Sequence, residues 1–334
     1  MPRSSITEIM SAFEPVEREG LLLSTPDGAR RRTLRRWTEQ GRLISPHPGL
    51  FARPEYWSAM SRTEQEICRL RTLAKLHPAW MFCSYSAAVL QGLSVSHSLL
   101  DRVHLALPDG GRGRDSKAVR YHRFRSLLLP SHAQGVLVTE IMYTVAECLL
   151  DAPFRAGLAI ADSTIHRGLL SKEALVAYVG AVTRNKQGAA RARMIAQLAD
   201  GRAESGGESL ARAAMIEQGF MVPELQVEFP DPVDPTRRFR VDYLWILADG
   251  RRVIGEFDGL AKYEDKEMTN GRTSERVRAD ERQRESRLTL LGMPVVRLNS
   301  ADLRRPALFA RKLQAAGIPQ DPSLGFPTDP RDLR

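Results

Sequence analysis

Residues 238–259, RFRVDYLWILADGRRVIGEFDG, hold two apolar-rich stretches around a three-residue break at 248–250. A three-residue hairpin loop favours Gly at its left-handed position, and Gly250 stands there. This loop pairs Leu247 with Arg251, and so sets Asp242 across from Glu256, with Asp258 two residues further along the same face. A two-residue turn would instead oppose Asp242 to Phe257 and send Glu256 to the other face. In the first register the three carboxylates share a face with Leu244, Ile246 and Ile254, while Val241, Tyr243, Trp245, Val253 and Phe257 occupy the opposite face. Apolar residues on both faces describe a central strand pair. The bland reading is a solvated edge with its acids in water. Opposed like charges destabilise a sheet, so a compensating cation is expected. Oxygen donors with no His or Cys nearby suit Mg²⁺ or Mn²⁺.

Outward from this hairpin, GESLARAAMIEQGF (207–220) reads as a helix ended by Gly219, and QVEF (226–229) as a short strand. After the hairpin, SERVRADERQRESRLTLLG (274–292) reads as a long helix and PVVRL (294–298) as a last strand. The order is α-β-β-β-α-β, a mixed-sheet α/β architecture. On the long helix Val277, Glu281, Arg284 and Leu288 form one stripe. Glu281 and Arg284 there either pair with each other, or Arg284 orients an acid or contacts a phosphate.

RVDYLW, GEFDGLAKY and DERQRESRLTLLGMPVVRL, with Glu208 in the preceding helix, resemble the very-short-patch-repair-like branch of the PD-(D/E)XK, or restriction-endonuclease-like, superfamily, over residues 204–302. The resemblance implies a Mg²⁺-dependent (or Mn²⁺-dependent) endonuclease that hydrolyses phosphodiester bonds. It makes Asp242 and Glu256 the metal-binding acids, Glu208 an accessory acid and Gln226 a polar residue facing the site. Asp258 stands where the superfamily pattern has Lys, and Lys262, four residues on, is the candidate substitute.

The first 58 residues read as short helices and a ribbon: ITEIMSAF, then PVEREGLLL opened by Pro15, then DGARRRTLRRWTEQG with Asp27 as cap and Gly41 as stop, then RLISPHPGLFAR. Helix, helix, basic helix, wing is the order of a winged helix-turn-helix. Arg30, Arg31, Arg32, Arg35 and Arg36 are the candidate DNA-binding residues, by phosphate and guanine contacts. As a bare charge run they would form a solvated helix face. TLRRWTEQGRLISPHPGLFAR, SYSAAVLQGL, RVHLALP and VRYHRF resemble the winged-helix region of AbiEi-type antitoxins and the α/β segment after it, over residues 5–185. That resemblance makes a cognate toxin a candidate partner. RVHLALP and AVRYHRF read as a strand pair with a basic, Gly-rich hairpin tip at 110–114, and His104 and His122 read as packing residues.

The length, 334 residues, exceeds what one core usually organises. The expected division is 1–58 winged helix-turn-helix, 59–187 α+β middle domain, 188–205 linker, 206–315 nuclease-like domain and 316–334 tail. A net charge of +9 favours a polyanionic partner such as DNA. Cys68, Cys83 and Cys148 suggest neither a disulfide framework nor a zinc knuckle. Glu8, Glu14 and Glu17 interrupt any secretory signal, and the polar residues scattered through 79–100 argue against a membrane span, so a cytoplasmic protein is expected. The functional expectation is a DNA-binding, metal-dependent endonuclease linked to toxin-antitoxin or phage-defence function. The alternative is an antitoxin-like transcriptional regulator whose nuclease-like domain is inactive.

Overall fold

The computed structural model describes residues 6–124, 129–234, 236–258 and 290–333. Runs of helices and runs of strands make up an α/β protein whose internal packing forms two units, Met1–Thr144 and Val145–Arg334. Among the described residues no helix is long and apolar enough to cross a membrane.

The first unit begins with helices α1 (Ile6–Ser11), α2 (Phe13–Arg18) and α3 (Gly28–Glu39), followed by the antiparallel ribbon of β1 (Ile44–His47) and β2 (Leu50–Ala52). The Asp27 side chain accepts the Ala29 amide at 2.9 Å, which caps α3 as its position suggests. Ile9, Phe13, Leu23, Leu34, Trp37, Leu43 and Phe51 form one buried cluster, and Leu23 bridges to Phe51 beside the ribbon. Next come α4 (Pro54–Ser58), α5 (Arg62–Leu76), α6 (Ser84–Leu90), β3 (Val103–Pro108), β4 (Val119–Phe124), β5 (Pro130–Ala133) and β6 (Val136–Thr139).

The strand pair expected here corrects the sequence reading. β3 and β4 run parallel, His104 opposite Arg120 and Ala106 opposite His122, so 109–118 is a return connection and not a hairpin tip. The true hairpin is β5–β6, turned by Gln134 (φ 52°) and Gly135 (φ 75°). Phe82 bridges both β3 and β6, which places it between the two pairs. His104 and His122 meet through their ring nitrogens at 2.9 Å.

Helix α7 (Ile141–Asp151) contains the division between the units. The second unit continues with α8 (Phe154–His166), α9 (Lys172–Val182), α10 (Ala189–Leu198) and α11 (Gly206–Glu217). Its sheet has the order β10-β9-β8-β7, where β7 is Glu224–Pro230, β8 Arg238–Ile246, β9 Arg252–Asp258 and β10 Val295–Asn299. β7–β8 and β8–β9 are antiparallel and β9–β10 is parallel, so β8 and β9 are the central pair. Helix Pro306–Ala315 closes the fold, contributing Phe309 and Leu313 to the cluster around Tyr243, Trp245 and Phe257.

The division between the two units, at 144–145, does not fall in the stretch 188–205 expected as a linker. That stretch carries α10, whose Ala192, Ile195 and Ala196 are buried. Helices α8 and α11, assigned by sequence to different domains, are joined by two buried ion pairs. Arg155 donates to Glu217 at 2.6 Å, and Arg212 donates to both Asp162 oxygens at 2.9 Å. Residues expected as a tail also take part: Thr328 donates to Glu217 at 3.1 Å, and the Asp332 carboxylate accepts the Arg155 and Ala156 amides at the start of α8.

Candidate functional site

The hairpin loop builds the acidic site. Gly250 adopts φ 84°, and the Leu247 amide donates to the Arg251 carbonyl at 2.8 Å. Tyr243 then pairs with Gly255 and Leu244 with Ile254, the register that opposes Asp242 to Glu256.

At this row the sheet divides. The β8–β9 ladder ends at Tyr243 and Gly255. Beyond it, among the described residues, β8 continues with β7 alone, through Arg238 opposite Pro230, and β9 with β10 alone, through Asp258 opposite Asn299. Asp242 closes the end of the ladder with its side chain: Oδ2 accepts the Phe257 amide at 2.7 Å. On its other side Gln226 falls in the gap between the Leu225–Tyr243 and Val227–Val241 pairs, with φ 54°. A left-handed residue within a strand breaks the pleat. As a result Val241 packs with Leu244 and Ile254, while Tyr243 and Trp245 pack with Phe257. The strict two-face alternation expected for β8 therefore fails at Asp242.

Helix α11 brings the remaining acid. Its first turn is capped by the Ser205 side chain, and Gly207 sits against the Phe257 ring, where an added Cβ would clash. Glu208 is buried and accepts from Gln226 Nε2 at 2.9 Å, Ser205 Oγ at 2.7 Å and the Glu204 amide at 2.9 Å. Burial, and then the Asp242 charge nearby, push the Glu208 carboxyl above its usual range, against these hydrogen bonds. Tyr243 donates from its hydroxyl to the Glu208 carbonyl at 2.8 Å, fixing α11 over the sheet.

The structure thus brings Glu208, Gln226, Asp242 and Glu256 to one region. Glu256 is buried, and Arg297 of β10 stands opposite it. Asp258 does not join the other acids as a third ligand. It pairs with Arg297, whose Nη1 lies 3.0 and 3.2 Å from its two oxygens. Among the described residues no three His, Cys, Asp or Glu side chains are grouped to hold a metal ion. The donor set that remains at the apex is two carboxylates, Asp242 and Glu256, hard oxygen donors of the kind Mg²⁺ and Mn²⁺ take. Lys262, Glu281 and Arg284 lie outside the described residues. Arg297 went unread in the sequence because its role depends on a parallel pairing across a long connection.

The basic helix is sorted by its own contacts. Arg31 is committed to the fold, donating through Nε and Nη2 to the Thr25 carbonyl at 3.2 and 2.7 Å. Arg30 is half-buried and reaches the Glu8 carbonyl at 3.4 Å. Arg32, Arg35 and Arg36 are exposed, at the i, i+3, i+4 spacing of one helical stripe. Arg42, missed by sequence reading, lies 4.7 Å over the Trp37 ring just beyond the same helix.

The chain is similar to two Mycobacterium tuberculosis proteins, "Uncharacterized protein MT2308" (strain CDC 1551 / Oshkosh) and "Uncharacterized protein Rv2248" (strain ATCC 25618 / H37Rv). It is 30% identical to each over 178 residues, which is 53% of this chain and 62% of the relative. The match spans less than two thirds of those relatives. No protein-family profile and no solved structure matches the chain.

Proposed function

We propose that this protein binds DNA through the exposed arginines of α3 and hydrolyses phosphodiester bonds where β8 and β9 part. The observation that carries the second half is the end of the β8–β9 ladder: opposed acids lie where the two strands part, with the hydrogen-bonded Glu208–Gln226 pair beside them. Asp242 and Glu256 would hold Mg²⁺ or Mn²⁺. Such an ion supplies positive charge to the phosphate oxygens and eases deprotonation of water. The Phe257 amide fixes one Asp242 oxygen, which orients the other. Glu208, with its raised pKa, anchors the Gln226 amide at the edge of the site. Hydrolysis forms a bond from water oxygen to phosphorus and breaks the ester P–O bond. The proton lost by water is balanced by one gained by the leaving oxygen.

DNA binding rests on Arg32, Arg35 and Arg36 standing exposed on a capped helix before a β-ribbon, together with the net charge of +9. The same order supports the resemblance to AbiEi-type antitoxins, and with it a cognate toxin as partner. Cys68, Cys83 and Cys148, buried thiols outside any disulfide among the described residues, support a reducing, cytoplasmic setting.

The Asp258–Arg297 pair favours a second reading. An acid in the place of the pattern's Lys, neutralised by a neighbouring strand, suits a regulator whose nuclease-like unit has lost its chemistry. One experiment divides the two: supercoiled plasmid and short duplexes are incubated with the protein in Mg²⁺, Mn²⁺ or EDTA, alongside Asp242→Ala and Glu256→Ala. Metal-dependent nicking abolished by either substitution supports the nuclease. Shifted but uncut DNA in every metal supports the regulator.

A further inference from the structure

We infer that Arg297 is a catalytic residue of the second unit, meeting the phosphate under attack, and that Asp258 is the positioning residue that aims it. This rests on the nuclease reading above. Arg297 stands opposite Glu256 in the parallel β9–β10 register. Val296 and Leu298 on either side of it pack into the cluster around Tyr243, Trp245 and Phe257. Val295, two residues earlier, packs with Ile254, two residues before Glu256 on β9. The alternation of side chains therefore puts Arg297 on the face of Glu256 and Asp258, away from the main core.

Charge gives this placement its meaning. Glu208, Asp242, Glu256 and Asp258 make the region anionic, and a phosphodiester carries a negative charge of its own. A substrate needs a cation beside the acids, held in place before it arrives. The Arg297 side chain retains 41% exposure and that of Asp258 48%, so the pair is open to a ligand. An exposed ion pair contributes little to folding. A guanidinium beside a dividing sheet, held by a carboxylate one turn of the pleat beyond Glu256, suits recognition of a phosphate oxygen. Arg297 stays protonated throughout. Its N–H groups strengthen their hydrogen bonds as negative charge builds on the non-bridging oxygens, and no proton leaves it. Because the charge comes from β10, an acid can occupy position 258 and act as the guanidinium's anchor.

The test is nicking of supercoiled plasmid in Mg²⁺ or Mn²⁺ by full-length wild type, Arg297→Ala, Arg297→Lys and Asp258→Asn, with duplex affinity in EDTA and unfolding midpoints measured in parallel. The expected result is a fall in kcat of about 100-fold for Arg297→Ala, with affinity and midpoint unchanged. Partial recovery is expected in Arg297→Lys, and on adding millimolar guanidinium chloride to Arg297→Ala. Asp258→Asn should lose less than Arg297→Ala and gain nothing from guanidinium. Wild-type rates in Arg297→Ala would overturn the role of Arg297 and leave the nuclease reading standing. Loss of activity that neither Lys nor guanidinium restores would make Arg297 structural and also overturn it. Absence of metal-dependent nicking by the wild type itself would overturn both.

Discussion

The Asp242 carboxylate accepts the Phe257 amide at 2.7 Å, one row beyond the last paired residues of β8 and β9. A single side chain therefore ends a backbone ladder and borders the proposed site. Asp242→Ala should leave that amide without its partner and lower stability by about 1–3 kcal/mol. Asp242→Asn keeps an acceptor oxygen and should lose less. Urea unfolding of the two variants measures this, and equal stability in both would deny the hydrogen bond its structural share. Nicking, if present in wild type, should be lost in both.

Glu208 gives the pH dependence a sign. Burial, and then the Asp242 charge, raise its folded pKa, so folding favours proton binding at this carboxyl relative to the unfolded chain. The stability it contributes is complete below its unfolded pKa, about 4.3, and is lost as pH rises through the folded value. The stability of wild type should therefore fall relative to Glu208→Gln between pH 4 and pH 8, as followed by denaturant midpoints. The opposite slope would mean that hydrogen bonds to the carboxylate outweigh its burial.

Arginines 32, 35 and 36 should carry the salt dependence of DNA binding. Replacing all three with Ala should weaken duplex affinity and reduce the log–log salt slope by about 0.9 for each phosphate that is no longer neutralised. Arg31→Ala should instead affect stability, because its guanidinium holds the Thr25 carbonyl. Fluorescence anisotropy across a salt series, with thermal unfolding alongside, separates the two groups. An unchanged slope in the triple variant would remove α3 as the binding element.

Gly207 permits α11 to close on the sheet. Gly207→Ala would press a methyl group into the Phe257 ring and should cost about 1–3 kcal/mol. The displaced ring adjoins the amide that Asp242 accepts, so any activity should fall together with stability. Wild-type unfolding in this variant would show that the ring yields freely.

What the sequence made legible was local. Gly250 set the hairpin register, Asp27 announced the start of α3, and apolar residues on both faces marked β8 and β9 as central. The break in the pleat was hidden, because Gln226 carries no sign that it will adopt a left-handed conformation. The direction of β4 was hidden too: two alternating stretches around a Gly-rich loop suit a hairpin, and only tertiary packing through Phe82 distinguishes a parallel pair. Arg297 and Asp258 lie 39 residues apart in sequence and meet only because β9 and β10 are neighbours. The ties across the expected linker were hidden for a similar reason, since the partners of Arg212 and Glu217 lie far upstream.

Those partners decide where this polypeptide can be cut. Breaking a buried ion pair on one side costs about 3–5 kcal/mol, and the Arg155–Glu217 and Asp162–Arg212 side chains are between 0% and 5% exposed. A fragment starting at residue 206 would present an orphan cation and an orphan anion on a bare helix surface, inviting self-association. One starting at residue 145 retains both mates. The sheet half thus keeps these charges matched only together with α8, an element that sequence pattern alone allots to its neighbour.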